Sequence, residues 1–148
     1  MSIKERIQDE IKNAMRNRNH TRLEVLRMAK AALLNVEKSG GRQGELTDEE
    51  AYKAIGKEVK KRRQAVEVYT EHGKDDKVAE AEAEIKVLEE FLPRQLSPEE
   101  IEAKVREYIE QNPSITHPGK LTGALKKELG EQADGKTLNE ICRKVLDE

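Results

Sequence analysis

Apolar residues recur every three or four positions along nearly the whole chain, the spacing that places them on one side of an α-helix. Ile3, Ile7 and Ile11 show this pattern near the start, and Leu138 and Ile141 show it near the end. Hydrophobic residues make up 35% and aromatic residues 3% of the 148 residues, so a β-rich core would lack side chains to fill it. A chain of this composition buries a core by phasing its apolar residues on helices. The sequence therefore predicts an all-α protein.

The helix boundaries follow from local start and stop signals. Thr47 with Glu50, and Ser97 with Glu100, form capping boxes, in which each side chain can bond the other residue's backbone N–H. Pro93 is expected to stop the fourth helix. The predicted helices span roughly residues 2–17, 20–38, 48–72, 75–92, 98–111, 118–129 and 135–147.

A domain boundary is predicted near Pro93, where one helix stops and the next is strongly capped. Residues 1–93 are expected to form a four-helix N-terminal bundle of two helical hairpins. Residues 94–148 are expected to form a small three-helix C-terminal domain. The second part is close to the size at which a single core is only marginally stable.

Charge, cysteine content and hydropathy limit the class of protein. The net charge is −2, so any nucleic-acid contact must be local. Cys142 is the single cysteine, which excludes an intramolecular disulfide and fits a reducing compartment. No apolar run approaches the ~20 residues that span a bilayer, and the N-terminus lacks the apolar segment of a signal peptide. We expect a cytoplasmic protein without a membrane partner.

A search for catalytic or metal-binding patterns finds none. His20, His72 and His117 are scattered over predicted loops or helix starts, and with one cysteine they give no zinc spacing; His117 is expected to help open a helix. Residues 40–44 are glycine-rich but lack the lysine and hydroxyl residue of a phosphate loop, so a flexible connector is predicted. The acids of residues 80–90 are interpreted as solvated helix faces. We expect no catalytic residue, no metal and no cofactor.

A glycine-marked segment near the C-terminus is the most distinctive local pattern. At roughly 100° per residue, Gly119, Gly123 and Gly130 fall in one narrow sector, together with Lys126. A glycine inside a helix costs about 1 kcal/mol relative to alanine. Something is therefore expected to approach the backbone at Gly123, either a packed helix or a phosphate backbone. The pattern alone favours packing, with Gly130 as a C-cap and Gly119 opening the helix.

Basic residues cluster in three places: residues 16–30, residues 57–63 and the tail around the glycines. Clustered lysine and arginine can contact phosphates. The alternative is an ordinary helix surface whose charges are paired with the equally abundant acids.

The sequence resembles the GatB/YqeY family, specifically its stand-alone YqeY-like branch. The resemblance rests on Gly119-x3-Gly123, on Gly130-x2-Ala133-Asp134-Gly135, and on the apolar helix that follows. Residues 23–35 resemble the family's second helix, and residues 89–100 resemble its interdomain hinge. One departure is Thr122, which stands where the family often has methionine.

This resemblance implies a tail similar to the C-terminal domain of the B subunit of a tRNA-dependent amidotransferase, a domain that helps hold the tRNA. It also implies association with carbon–nitrogen ligase activity with glutamine as amido-N-donor, although the catalytic parts of that enzyme are absent here. The leading hypothesis is a non-catalytic tRNA- or RNA-binding accessory module. The candidate phosphate contacts are Lys120, Lys126, Lys127, Lys136, Arg143 and Lys144, and the candidate close-approach glycines are Gly119, Gly123, Gly130 and Gly135.

Two alternatives remain open on the sequence. In one, the chain is a component of an amidotransferase complex and lends tRNA contacts to a separate catalytic subunit or to the aminoacyl-tRNA machinery. In the other, the chain is a protein–protein adaptor whose glycine sector packs a partner helix without RNA. The tail's charge favours the adaptor, because residues 94–148 hold nine basic and eleven acidic residues, 9 − 11 = −2.

Overall fold

The protein is described here by a computed structural model covering residues 1–39 and 44–148. Within these ranges the secondary structure is helical, with no strand, which confirms the all-α prediction for them. Of the predicted connector at residues 40–44, only Gly44 lies among the described residues. The helices are α1 (Ile3–Arg16), α2 (His20–Glu37), α3 (Asp48–Glu71), α4 (Asp75–Glu89), α5 (Pro98–Gln111), α6 (Pro118–Leu129) and α7 (Gly135–Leu146), with a 3-10 turn at Gly130–Gln132 between the last two.

Both predicted capping boxes are present. The Ser97 hydroxyl accepts from the Glu100 amide at 3.1 Å, and the Glu100 carboxylate accepts from the Ser97 amide at 3.0 Å. Thr47 and Glu50 make the same reciprocal pair at the start of α3. These bonds satisfy N–H groups that a helix start otherwise leaves unpaired, so α3 and α5 begin where the sequence predicts.

The predicted end of α4 is wrong by about one turn. The helix was expected to reach Leu92, but it ends at Glu89. The amides of Phe91 and Leu92 instead donate to the carbonyls three residues earlier, in a tightened turn. Pro93 disfavours helical backbone at the residue before it, and Phe91, 2% exposed, turns into the core.

The described chain separates into two compact units, Met1–Leu92 and Pro93–Glu148. In the first unit α2 packs against α1, α3 and α4, and α3 packs along α4. The hydrophobic cluster at the core of this unit consists of Ile3, Ile7, Ile11, Ala14, Leu23, Val25, Leu26, Ala29, Leu33, Ala51, Ala54, Ile55, Val59, Ile85, Leu88 and Phe91.

In the second unit α7 packs against both α5 and α6. The segment before α5 is held to the 3-10 turn, since the Leu96 amide donates to the Gln132 carbonyl and the Gln95 side chain donates to the Glu131 carbonyl. The buried side chains of this unit are Ile101, Val105, Leu121, Leu125, Leu129, Ala133, Leu138, Cys142 and Val145. Helix α6 therefore turns its leucines inward and leaves its glycine sector outside.

Candidate nucleic-acid interface

Helix α6 begins with a histidine cap. The Nδ1 atom of His117 accepts from the amides of Gly119 at 3.1 Å and Lys120 at 3.4 Å, and Pro118 occupies the first helical position. A Cβ atom added to Gly119 would lie 3.0 Å from Cε1 of this imidazole. Gly119 therefore leaves room for the side chain that caps its own helix. The expectation that His117 helps open a helix is confirmed.

The space over Gly123 is open. Gly123 is exposed, and apart from its chain neighbours and the backbone of its own helix an added Cβ atom would meet no described atom within 4 Å. Within the second unit, therefore, no neighbouring helix packs tightly on Gly123. Its backbone is instead presented to solvent in the middle of α6.

Two lysines lie beside this open backbone. The side chains of Lys120 and Lys127 are exposed, and their ammonium groups make no hydrogen bond or ion pair with residues that the structure describes. At about 100° per residue they lie about 60° and 40° from Gly123, whereas Glu128, the one acid of α6, lies about 140° away. Gly119, Lys120, Gly123 and Lys127 together form a basic surface, here called the glycine face.

A chain of hydrogen bonds joins α7 to α6 beside the glycine face. Arg143 Nε donates to Asn139 Oδ1 at 2.9 Å, Asn139 Nδ2 donates to Thr122 Oγ1 at 3.0 Å, and Thr122 Oγ1 donates to the Pro118 carbonyl at 2.7 Å. Arg143 is exposed and is thereby linked through Asn139 to Thr122, the residue before Gly123 on α6. Lys136 is also exposed, and by helical phase it lies on the same side of α7.

The sequence carries no pattern that predicts the bond between Asn139 and Thr122. The two residues are 17 positions apart on different helices. Thr122 is the residue that departs from the family's frequent methionine, and a thioether could not donate to the Pro118 carbonyl.

The side chain of Lys126 bonds backbone carbonyls of the turn that follows α6. Its ammonium donates to the Gly130 carbonyl at 2.8 Å and to the Ala133 carbonyl at 2.6 Å, and its side chain is 34% exposed. These bonds hold the turn after α6, where a cation also meets the negative end of the helix dipole. Lys126 is thus oriented toward its own backbone rather than toward the glycine face.

Lys144 lies on the other side of α7. Its ammonium contacts the Glu102 carboxylate of α5 at 2.8 Å, which raises the pKa of Lys144 and lowers that of Glu102. Arg106 adds contacts with Glu102 and Glu148, so two cations and two anions form one exposed network. Lys144 is therefore paired within the tail and lies apart from the glycine face.

The other two candidate glycines lie in the connection between α6 and α7. Gly130 is the C-cap of α6 with φ of 57°, a conformation that side-chain-bearing residues rarely adopt, so the C-cap prediction is confirmed. Gly135 is the first residue of α7, and the preceding Asp134 caps that helix by accepting from the Thr137 amide. An added Cβ atom at either glycine would meet no described atom within 4 Å.

The sequence matches one protein-family model, described as Yqey-like protein, over residues 4–146. The chain belongs to this family. No curated protein matches it. Because the match extends over nearly the whole chain, both units of this YqeY-like protein lie within it.

In the first unit of the YqeY-like chain, arginines of the predicted basic clusters tie helices together. Arg62 is buried and donates through Nε to Glu84 of α4 at 3.0 Å. Arg22 contacts Glu90 at 2.6 Å and Glu10 at 2.9 Å. For these two arginines, the interpretation of an ion-paired helix surface fits better than a phosphate contact.

Three further features of this YqeY-like protein concern its cysteine thiol, metal-binding side chains and membrane-spanning helices. Cys142 is fully buried, and burial raises the pKa of its thiol. Among residues 1–39 and 44–148, no three His, Cys, Asp or Glu side chains are gathered as a metal site. No helix formed by these residues has the length and apolar character to cross a membrane.

Proposed function

We propose that this YqeY-like protein is a non-catalytic RNA-binding accessory module and that its ligand is tRNA. The observation that carries the proposal is the glycine face, an exposed helix backbone at Gly123 with two unpaired lysines beside it. Membership of the YqeY-like family adds support, through the resemblance of its tail to a domain that holds tRNA.

The chemistry of the glycine face suits a phosphate backbone. A lysine is a flexible point charge, and each phosphate that it neutralises releases a condensed counterion. Because Gly123 has no side chain, a sugar–phosphate backbone can come closer to the helix there than it could at any other type of residue. Arg143, linked through Asn139 to Thr122, offers a further charge for the same backbone.

We also propose a finer architecture and a location. Residues 1–93 would form a four-helix bundle of two hairpins, and residues 94–148 a separate three-helix domain. The two separate sets of buried side chains support this division. A cytoplasmic location would place the protein with tRNA and with the amidotransferase or aminoacyl-tRNA machinery.

The experiment is a titration of the full chain against total tRNA and a matched DNA duplex at two salt concentrations. We expect salt-sensitive binding that prefers tRNA. The variant K120E/K127E should weaken tRNA binding about tenfold or more at low salt and reduce the salt slope by about 2, because two phosphate contacts are lost.

The matched control is Lys104→Glu. Lys104 is also an exposed lysine of the second unit without a partner among the described residues, but it lies on α5. Equal loss in K104E and in either single variant, K120E or K127E, would show a general charge effect and contradict a site at the glycine face. Absence of binding at low salt would favour a protein adaptor, to which the tail's excess of two acids also points.

A further inference from the structure

A cleft lies between α2 and α3 in the first unit, away from the tail elements described above. Its volume is about 320 Å³. The floor is made of short apolar side chains, and one wall is a row of lysines on α3. These residues are Ala32, Val36 and Ala54 on the floor and Lys53, Lys57 and Lys61 on the wall.

The two acids that line the cleft are both held by contacts within the protein. The Glu50 carboxylate accepts from the amide and the hydroxyl of Thr47 in the capping box. The Glu58 carboxylate lies 3.0 Å from the Lys61 ammonium and 3.5 Å from the Arg62 guanidinium. The side chains of Lys53 and Lys57 are exposed, and their ammonium groups make no hydrogen bond or ion pair with the described residues. Three lysines and two glutamates line the cleft, 3 − 2 = +1, so the cleft carries an excess of positive charge along α3.

The apolar floor continues along α2 beyond the cleft. Met28, one helical turn before Ala32, is 49% exposed, and its sulfur accepts from Arg62 at 3.4 Å. Methionine side chains adapt their shape to different partners, and alanines allow the backbone of a partner to approach closely. The surface thus combines an apolar strip with a cationic edge.

We propose that this cleft binds an acidic amphipathic helix of a partner protein. Lys53, Lys57 and Lys61 are spaced four residues apart, which places them about 6 Å apart along α3. Glutamates four residues apart on a second helix have the same spacing, so a partner helix lying along α3 can meet successive lysines with successive acids. Its apolar residues would then lie on Ala32, Val36 and Ala54, in the manner of a helix bound in a groove.

The composition of the cleft favours a peptide over a nucleic acid. Single-stranded nucleic acids bind on aromatic side chains that stack with bases, and neither an aromatic residue nor an arginine lines this cleft. A phosphate backbone would use the lysines but would leave the apolar floor without a partner. An amphipathic helix uses both.

The test uses ¹⁵N-labelled full-length protein and NMR titration with a panel of acidic amphipathic peptides. Each peptide has 18 residues, with leucine or methionine on one face and glutamates four residues apart beside it. As peptide is added, we expect saturable changes in the chemical shifts of the backbone amides of residues 28–36 and 53–61. A charge-reversed peptide with lysine for glutamate should give none. Absence of saturable shifts at these residues with every peptide at millimolar concentration would overturn the proposal.

Substitutions in the lysine wall and in the apolar floor measure how much each contributes to peptide affinity. K53E/K57E should lower the peptide affinity about tenfold or more, whereas the control K12E/K86E, which changes two exposed lysines of α1 and α4, should not. Ala32→Gln fills the floor and should also weaken binding. If Ala32→Gln has no effect, or if an RNA oligomer and no peptide shifts Lys53 and Lys57, the helix-binding proposal is wrong. This test probes the first unit, so its failure leaves the proposal for the tail standing.

Discussion

Gly119 and Gly123 lie one turn apart on α6, yet they are glycines for different reasons. At Gly119 an added Cβ atom would lie 3.0 Å from the capping imidazole of His117, which would have to shift by a few tenths of an ångström. At Gly123 the space is open and the backbone is not in a positive-φ conformation. The protein therefore carries at Gly123 a helix-destabilising residue that no contact in its own described structure requires.

Gly123→Ala is expected to stabilise the protein and to weaken its binding to tRNA. The stability should rise by about 0.5–1 kcal/mol, since alanine loses less backbone entropy in a helix. The methyl group would at the same time hold a phosphate backbone away from the helix. Chemical denaturation measures the first effect, and the tRNA titration measures the second.

Gly119→Ala is the matched comparison. The gain in helix propensity should be partly offset by strain on the His117 cap, whose complete loss would cost about 1 kcal/mol, so less stabilisation is expected than from Gly123→Ala. If Gly123→Ala stabilises the protein and leaves tRNA affinity unchanged, the proposal that RNA approaches this backbone is contradicted.

At the residue scale, the sequence predicts which residue types stand out but not what surrounds them. Helical phase placed the glycines in one sector, yet it could not show that His117 occupies the space over Gly119 while Gly123 faces solvent. Lys126 and Lys127 are neighbours in sequence, but only the Lys126 ammonium bonds backbone carbonyls of the folded turn. The sequence alone does not distinguish the two lysines. Such differences depend on contacts that the sequence pattern does not encode.

At the scale of elements, the end of α6 depends on one lysine. Lys126→Met removes two charged hydrogen bonds from the Gly130 and Ala133 carbonyls and should lower the free energy of unfolding by about 1–2 kcal/mol. Lys127→Met, at the exposed neighbouring position, should change it by less than about 0.5 kcal/mol. Urea unfolding followed by circular dichroism compares the two. Equal effects would show that the Lys126 contacts contribute nothing specific.

The start of α5 predicts a dependence of stability on acid. Hydrogen bonds from Arg94 and from the Ser97 amide lower the pKa of Glu100 from its ordinary 4.5 to about 2. When folding lowers the pKa of a carboxyl group, that group stabilises the folded state at pH values above the pKa that it has in the unfolded chain. For Glu100 this contribution is lost as pH falls from about 4.5 to 2. Glu100→Gln should therefore lower the melting temperature at neutral pH. It should also make the fall in melting temperature below pH 4.5 less steep.

The control for this prediction is Glu99→Gln, which removes a charge from the same turn without removing an ion pair seen in the described structure. Thermal melting at pH values from 2 to 7 measures both variants. A decline with the same steepness in Glu100→Gln and the unaltered protein would contradict the role assigned to Glu100.

Most helix boundaries were predictable because their signals are local. Capping boxes, prolines and the period of the apolar residues act within a few positions, so α3, α5 and α6 begin where predicted. The end of α4 was not predictable, because it depends on burial of Phe91 among distant residues. The hydrogen-bonded link between α7 and α6 through Asn139 and Thr122 is likewise a contact between distant residues.

At the scale of the whole molecule, each unit has its own buried core. Leu125→Ala should lower the free energy of unfolding of the second unit by about 2–5 kcal/mol. Because this unit is small, such a loss is enough to unfold it. We expect amide exchange to accelerate in residues 93–148 and to stay unchanged in residues 1–92.

Ile7→Ala, at a fully buried position of the first core, should give the reverse pattern. Residue-resolved hydrogen exchange measures both variants. Acceleration of both units by either substitution would show that they unfold together, against the proposed division into two domains.

The burial of Cys142 makes the unaltered protein suited to thiol-labelling kinetics. A buried thiol with a raised pKa reacts with a labelling reagent only when local opening exposes it. Because it is the single cysteine of the chain, every labelling event reports on opening of the second unit and on nothing else. A ligand bound to the tail slows that reaction in proportion to its occupancy, so binding can be followed without a tag, a dye or a substitution.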